Sequence, residues 1–135
     1  MLEYRVSARR QDATGSLATA RSAVVTLDTS LAGRDDALNP AELLLAALAG
    51  CIIKGIERVT PMLSFDLAGV EVRLHAARQD APPRITTIDY EILVDTAETD
   101  RRLELLHTNV RKYGTISNTL AEAVTLSGTI RRSNG

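Results

Sequence analysis

Cys51 is the only cysteine in this chain of 135 residues, and it lies inside an apolar segment with the pattern of a helix. An ionised cysteine is a strong nucleophile, so Cys51 is the first candidate for any covalent or redox chemistry. A lone thiol cannot form an internal disulfide, and a redox cycle through Cys51 therefore needs a thiol from another molecule. The structural alternative is that Cys51 is a small buried apolar residue, as free cysteines commonly are.

A catalytic thiol needs help from its surroundings, because an unperturbed cysteine has a pKa of about 8.5 and apolar burial raises it. Lys54 follows Cys51 by three residues and lies on a neighbouring face of the helix, although a solvated surface charge is the simpler interpretation. The two histidines, His75 and His107, have no cysteine, histidine or acidic residue at metal-ligand spacing around them. The sequence predicts no metal site and no cofactor.

The helix that carries Cys51 is predicted from Pro40 to about Val59. Asn39 suits the N-cap, Pro40 suits the first helical position, and Glu42 completes a capping box with Asn39. Pro61 predicts the end of the helix, because a proline disfavours helical geometry in the residue before it.

The middle of this helix, from Leu43 to Ile53, is apolar almost all round. Its 11 residues are too few to cross a bilayer, which takes about 20, so no membrane span is predicted. A small domain has little material to cover such a helix on every side. We therefore predict that a second subunit packs over it and that the protein is a homodimer.

The rest of the chain alternates between strand and helix patterns, which predicts one α+β domain over residues 1–135. Period-two alternation and turn residues predict an N-terminal meander, a long hairpin and a last strand. The predicted strands are Leu2–Ala8, Leu17–Ala20, Ala23–Asp28, Val70–Ala77, Ile88–Val94 and Val124–Arg131. A second helix is predicted from about Thr99 to Lys112 with Gly114 stopping it, and a short helical turn from Ser117 to Ala123.

Composition excludes several classes of function. Hydrophobic residues make up 44% of the chain and charged residues 24%, as in ordinary globular proteins. The formal net charge is −1 and only 3% of residues are aromatic, so nucleic acid is not an expected partner. The first residues alternate apolar and polar side chains, unlike a secretory signal, and an unpartnered cysteine favours a reducing compartment. We expect a cytoplasmic protein.

Two segments carry a family resemblance. The stretch Asn39–Cys51, which reads Asn-Pro-Ala-Glu-Leu-Leu-Leu-Ala-Ala-Leu-Ala-Gly-Cys, resembles the long-helix signature of the OsmC/Ohr family of osmotically inducible and organic hydroperoxide resistance proteins. The stretch Lys112–Leu120 resembles the second signature of that family, which ordinarily reads Tyr-Cys-Pro-Val-Ser followed by a helix. The resemblance implies antiparallel sheets around a long central helix, an intertwined homodimer, and a site at the subunit interface.

The sequence departs from the family pattern at two points. In the peroxidase members, the resemblance implies, the helix cysteine attacks a hydroperoxide and the second-motif cysteine resolves the sulfenic acid, but Gly114 stands at that second position and Thr115 replaces the following proline. The two-cysteine cycle is therefore excluded. The family glutamate after the helix proline is replaced by Ala41, and Glu42 lies nine residues before Cys51, on the opposite helix face. We interpret Glu42 as a capping residue.

The resemblance also implies that an arginine from the N-terminal strands activates the helix cysteine. Arg9, Arg10 and Arg21 are the candidates, each of which has a surface charge as its simpler interpretation, and we choose Arg10. Leu44, Leu48 and Ile52 are predicted to form an apolar pocket wall near the sulfur.

Two functions remain open from the sequence. The first is a one-cysteine thiol peroxidase, in which Cys51 reduces an organic hydroperoxide and an external thiol regenerates it. The second is a catalytically degenerate OsmC-like dimer that binds a small apolar ligand or a partner. Retention of Cys51 favours the first, and loss of the second cysteine favours the other.

Overall fold

The computed structural model describes residues 1–133, which form three helices and two three-stranded sheets. The predicted α+β class is confirmed. The elements in chain order are β1 (Ser7–Asp12), β2 (Gly15–Ala20), β3 (Ala23–Leu27), α1 (Pro40–Met62), β4 (Gly69–Gln79), β5 (Arg84–Asp95), α2 (Asp100–Tyr113), α3 (Thr115–Ala121) and β6 (Thr125–Arg132). The chain divides into a first compact unit, Met1–Leu44, and a second that begins at Leu45.

The first unit contains an antiparallel meander in the order β1-β2-β3. A meander is predicted here, but the predicted first strand Leu2–Ala8 is wrong in position, since β1 begins at Ser7. The turn between β1 and β2 fixes the register: the Asp12 carboxylate accepts hydrogen bonds from the amide and the hydroxyl of Thr14, at 2.8 and 2.6 Å. The pairing of β1 with β2 therefore runs from this turn to Ser7 and does not include the alternating residues at the N-terminus.

Helix α1 begins as predicted. The Asn39 side-chain oxygen accepts from the Glu42 amide at 2.8 Å, and the Asn39 amide donates to the Glu42 carboxylate at 3.0 Å, so the capping box is confirmed. The predicted end is wrong, because Pro61 lies inside the helix. The chain leaves the helix at Ser64, whose φ of 49° is left-handed, and the Phe65 amide then caps a carbonyl of the last turn.

The second unit holds a sheet in the order β4-β5-β6. Strands β4 and β5 form the predicted antiparallel hairpin, with Leu74 opposite Tyr90, but β6 pairs in parallel with β5. The expectation of purely antiparallel sheets is therefore wrong. Helices α2 and α3 lie between β5 and β6, and a helical connection of this kind lets the chain enter the next strand in the same direction.

The hydrophobic core of the second unit lies between α1, α2 and the inner face of the β4-β5-β6 sheet. Alternate residues of β5 and one stripe of each helix supply its side chains, as the two periodicities require. The core consists of Leu48, Ile52, Ile56, Val59, Phe65, Ile88, Tyr90, Ile92, Val94, Leu103, Leu106 and Val110. Across residues 1–133, no helix is both long enough and apolar enough to span a membrane.

Candidate functional site

Cys51 lies near the middle of α1 and is half-buried. Its neighbour along the helix, Ile52, is 1% exposed and anchors this part of α1 in the core. The sulfur therefore sits at the edge of the core and not inside it. This position leaves part of the side chain open to a reagent while the helix holds its backbone rigid.

The backbone amide of Ile116 donates a hydrogen bond to the Cys51 sulfur, with 3.4 Å between nitrogen and sulfur. Ile116 is the second residue of α3, where backbone N–H groups have no partner inside the helix. An N–H aimed at sulfur stabilises a thiolate more than a neutral thiol, because a charged acceptor makes the stronger hydrogen bond. The two sequence motifs therefore meet at this contact.

Gly114 separates α2 from α3 and is buried. A Cβ at this position would lie 2.9 Å from the hydroxyl oxygen of Ser117 and 3.4 Å from the carbonyl oxygen of Val110. Ser117 is itself 3% exposed. The space that a side chain at residue 114 would need is therefore partly filled by the Ser117 hydroxyl.

The three residues of the predicted pocket wall differ in how deeply they are buried. Leu48 and Ile52 are fully buried and belong to the core, so their contact surface is already used by other core residues. Leu44 is only partly buried. An apolar wall made of these three side chains stays a prediction. Leu48 and Ile52 already pack in the core.

The cationic residues predicted near Cys51 have exposed side chains. Arg10 is exposed in β1 and pairs with Ser16 of β2, whereas Arg9 points to the opposite face of that sheet. Arg21 is exposed at a turn with a φ of 56°, and Lys54 is exposed on α1. A catalytic role for Arg10 stays a prediction.

A polar cluster inside the second unit was not predicted from the sequence. The Tyr90 hydroxyl lies 2.7 Å from Nε2 of His107 and 3.2 Å from a guanidinium nitrogen of Arg111. Arg111 can only donate to the Tyr90 hydroxyl, and that hydroxyl can in turn donate to Nε2 when the imidazole of His107 is neutral and carries its proton on Nδ1. The available signal was the spacing of His107 and Arg111, four residues apart on one face of α2.

Burial controls the charge states in this cluster. Desolvation raises the pKa of Tyr90, and the neighbouring Arg111 opposes that rise. Desolvation also lowers the pKa of His107, with Glu104 opposing the change and Arg111 adding to it. Both shifts favour a neutral phenol and a neutral imidazole, the pair in which Tyr90 donates to His107.

His75 lies on the outer, exposed face of the β4-β5-β6 sheet. Its Nδ1 is 3.1 Å from a carboxylate oxygen of Asp89, and both side chains are more than half exposed. Among residues 1–133, no three His, Cys, Asp or Glu side chains are grouped to hold a metal ion. The exposed pair is a surface contact of small energetic value.

Comparison with known proteins gives one family. Residues 33–127 match the family model described as OsmC-like protein. No curated protein sequence matches the chain.

Several solved structures share the fold over nearly the whole chain. An OsmC-like protein from Mycoplasma pneumoniae has a TM-score of 0.88 at 15% identity, with 97% of each chain covered. An organic hydroperoxide resistance protein OsmC from Legionella pneumophila has a TM-score of 0.73 at 18% identity, covering 96% of this chain and 97% of its own. The organic hydroperoxide resistance protein OhrB of Bacillus subtilis has a TM-score of 0.67 at 18% identity, covering 96% and 98% respectively.

Proposed function

Since the chain belongs to the OsmC-like protein family, we propose that it is a thiol-redox protein, a one-cysteine reductase of organic hydroperoxides that works through Cys51. The family match confirms the resemblance found in the sequence. Two proteins of the same fold are named for organic hydroperoxide resistance, which supports this substrate class. The observation that carries the proposal is the hydrogen bond from the Ile116 amide to the Cys51 sulfur.

The proposed cycle begins with the Cys51 thiolate attacking one oxygen of the hydroperoxide ROOH. The O–O bond breaks, the alkoxide leaves and takes up a proton as the alcohol ROH, and Cys51 becomes a sulfenic acid. An external thiol then attacks the sulfur, releasing water and forming a mixed disulfide. A second external thiol displaces the first as a disulfide and restores the Cys51 thiol.

An external reductant is required by the composition of the chain. Cys51 is its only cysteine, so no second thiol of the same chain can resolve the sulfenic acid. A cytoplasmic setting, where small and protein thiols are kept reduced, suits such a cycle. The reductant is the partner whose identity matters most for this proposal.

Thiolate formation needs more than one hydrogen bond, and in this proposal Arg10 supplies the positive charge. Arg10 shares a face of its sheet with Ser16 and Leu27, as the pairing of β1, β2 and β3 shows. Replacing Arg10 by Ala is expected to slow peroxide consumption about tenfold, the worth of one charge-assisted contact. Arg9→Ala is the matched control, because Arg9 points away from that face; an equal loss in both variants would count against Arg10.

A homodimer forms part of the same proposal. All of residues 1–44 are described, and none contributes an apolar side chain to the buried core. Val6, Val24 and Val25 are 70%, 60% and 44% exposed, and a small sheet with no covered apolar face is not stable alone. A second copy of the chain would supply the missing cover. Sedimentation equilibrium is expected to give twice the chain mass, and a monomer at micromolar concentration would contradict it.

The test of the function is intact mass and thiol titre after one equivalent of cumene hydroperoxide, with hydrogen peroxide as the competing oxidant. We expect a fast gain of one oxygen on the wild-type protein, selective for the organic peroxide and reversed by a dithiol. Cys51→Ser is the control and gains none. An inert Cys51 would exclude the peroxidase and favour the ligand-binding alternative.

A further inference from the structure

Helices α1 and α2 approach each other closely at Gly55. A Cβ built on Gly55 would lie 3.2 Å from Cγ1 of Val110 and 3.9 Å from its Cα. The first distance is shorter than ordinary contacts of a Cβ atom, so even an alanine would press on α2. Val110 is 3% exposed and belongs to the core, and it has little room to move away.

The Gly55–Val110 contact and the Cys51–Ile116 contact lie on the same side of α1. Cys51 and Gly55 are four residues apart, so they share a face of α1 one turn apart. On the facing segment, Val110 is followed by the Gly114 corner and then by Ile116, whose amide reaches the sulfur. The contact at Gly55 and the contact at Cys51 therefore belong to the same packing of α1 against the segment Val110–Ile116.

We propose that Gly55 is a positioning residue for Cys51. By admitting Val110 against the α1 backbone, it holds the Ile116 amide within hydrogen-bond distance of the sulfur. That bond is 3.4 Å long, so an outward shift of α2 by a few tenths of an ångström weakens it. The inference rests on the proposed function only in taking Cys51 as the reacting group.

The test is Gly55→Ala, measured as the rate of Cys51 alkylation by iodoacetamide across a range of pH. We expect the rate at pH 7 to fall roughly three- to tenfold, from a weakened hydrogen bond to the thiolate. Thermal stability gives a separate readout, because alanine is the better helix former and offsets the strain of the tighter contact.

Gly50→Ala is the matched control, because it makes the same substitution in the same helix. Among residues 1–133, a Cβ built on Gly50 has no heavy atom within 4 Å apart from its chain neighbours and the backbone of its own helix, so this variant is expected to keep the wild-type alkylation profile. Equal effects of the two substitutions, or a wild-type profile for Gly55→Ala, would overturn the proposal. A drop confined to Gly55→Ala supports it.

Rescue provides the second arm. Removing the opposing methyl groups in Gly55→Ala/Val110→Ala is expected to return alkylation to within about twofold of wild type. The amide resonance of Ile116 in a nitrogen-15 NMR spectrum gives a measurement that does not depend on rescue. It should shift in Gly55→Ala and stay in place in Gly50→Ala; an unmoved resonance would contradict the proposal.

Alkylation separates this inference from the proposed function, since iodoacetamide reports the sulfur without any peroxide chemistry. If the protein does not react with cumene hydroperoxide but Gly55→Ala slows alkylation, the peroxidase proposal is excluded and the positioning role of Gly55 is supported. If the protein reduces cumene hydroperoxide but Gly55→Ala alkylates like wild type, the peroxidase proposal is supported and the positioning role is excluded.

Discussion

Ile116 donates its backbone amide to the sulfur of Cys51, a residue 65 positions earlier in the chain. The contact joins the middle of α1 to the first turn of α3. It places a backbone hydrogen-bond donor at the sulfur of the only cysteine in the chain.

Overoxidation of Cys51 should be the fate of the protein when no external thiol is present. Excess cumene hydroperoxide is expected to drive the sulfenic acid to sulfinic and sulfonic acids, because the chain has no second cysteine to trap it. Mass spectrometry should then show two or three added oxygen atoms that a dithiol does not remove. Premixing the protein with a dithiol should suppress these products. If they do not form in the peroxide-treated sample without dithiol, the result argues against a reactive sulfenic acid.

A second thiol at residue 114 should restore an internal disulfide. Gly114→Cys alone would press its Cβ on the Ser117 hydroxyl, 2.9 Å away, so we pair it with Ser117→Ala. With peroxide and no external thiol, the double variant is expected to lose both free thiols, because residue 114 is two positions from the Ile116 amide that contacts Cys51. Thr119→Cys with Ser117→Ala is the control. If both thiols stay free in the first variant, residue 114 does not face the sulfur.

Because of His107, the stability of the protein should fall as the pH drops from about 7 towards the lower pKa that His107 has in the folded state. Burial lowers the pKa of His107 in the folded state, with Glu104 opposing and Arg111 adding to the shift. The unfolded chain, with an ordinary histidine pKa of about 6.5, then binds more protons than the folded one as the pH drops through this window. The loss should end once the pH is below the folded-state pKa.

The measurement for this prediction is urea unfolding at pH 7.5 and pH 5.5. His107→Gln keeps an acceptor for the Tyr90 hydroxyl but cannot be protonated, so it should reduce the difference between the two pH values. His75→Gln, at an exposed position, is the control and should leave the difference intact. A pH dependence that survives His107→Gln would assign it to other groups.

Gly128 should not tolerate a side chain. A Cβ at this position on β6 would overlap the ring of Tyr90, which is fixed by its contacts to His107 and Arg111. Gly128→Ala is expected to reduce the free energy of unfolding by about 2 kcal/mol or more through overpacking. Gly69→Ala, whose Cβ would lie an ordinary 3.7 Å from Asp95, should change it by less than about 0.5 kcal/mol. Equal stabilities would mean that the ring moves freely.

Local signals predicted most of the elements. The capping box of Asn39 and Glu42 is read from two side chains three residues apart, and the structure has both of its hydrogen bonds. The failures were of other kinds. The end of α1 was predicted near Val59, but the helix continues past Pro61 to Met62. A proline in the last turn removes only one hydrogen bond, and the left-handed Ser64 follows the end of the helix.

Strand direction and the buried polar cluster could not be predicted from the sequence. Alternation marks a residue pattern as a strand but does not say which neighbour it pairs with, so the parallel pairing of β6 with β5 was missed. Tyr90 and His107 are 17 residues apart and meet only because α2 packs across the sheet. Such contacts depend on the relative placement of whole elements.

The sequence by itself determined the family, the α+β class, the single thiol and the exclusion of a two-cysteine cycle, because these follow from residue identity and short-range periodicity. Only the tertiary structure decided which atom touches that thiol. The Ile116 amide reaches Cys51, and one turn along α1 Val110 of α2 packs against Gly55, which has no side chain. A glycine in a helix signals this possibility but gives no partner, since the partner is chosen by packing between elements far apart in the chain.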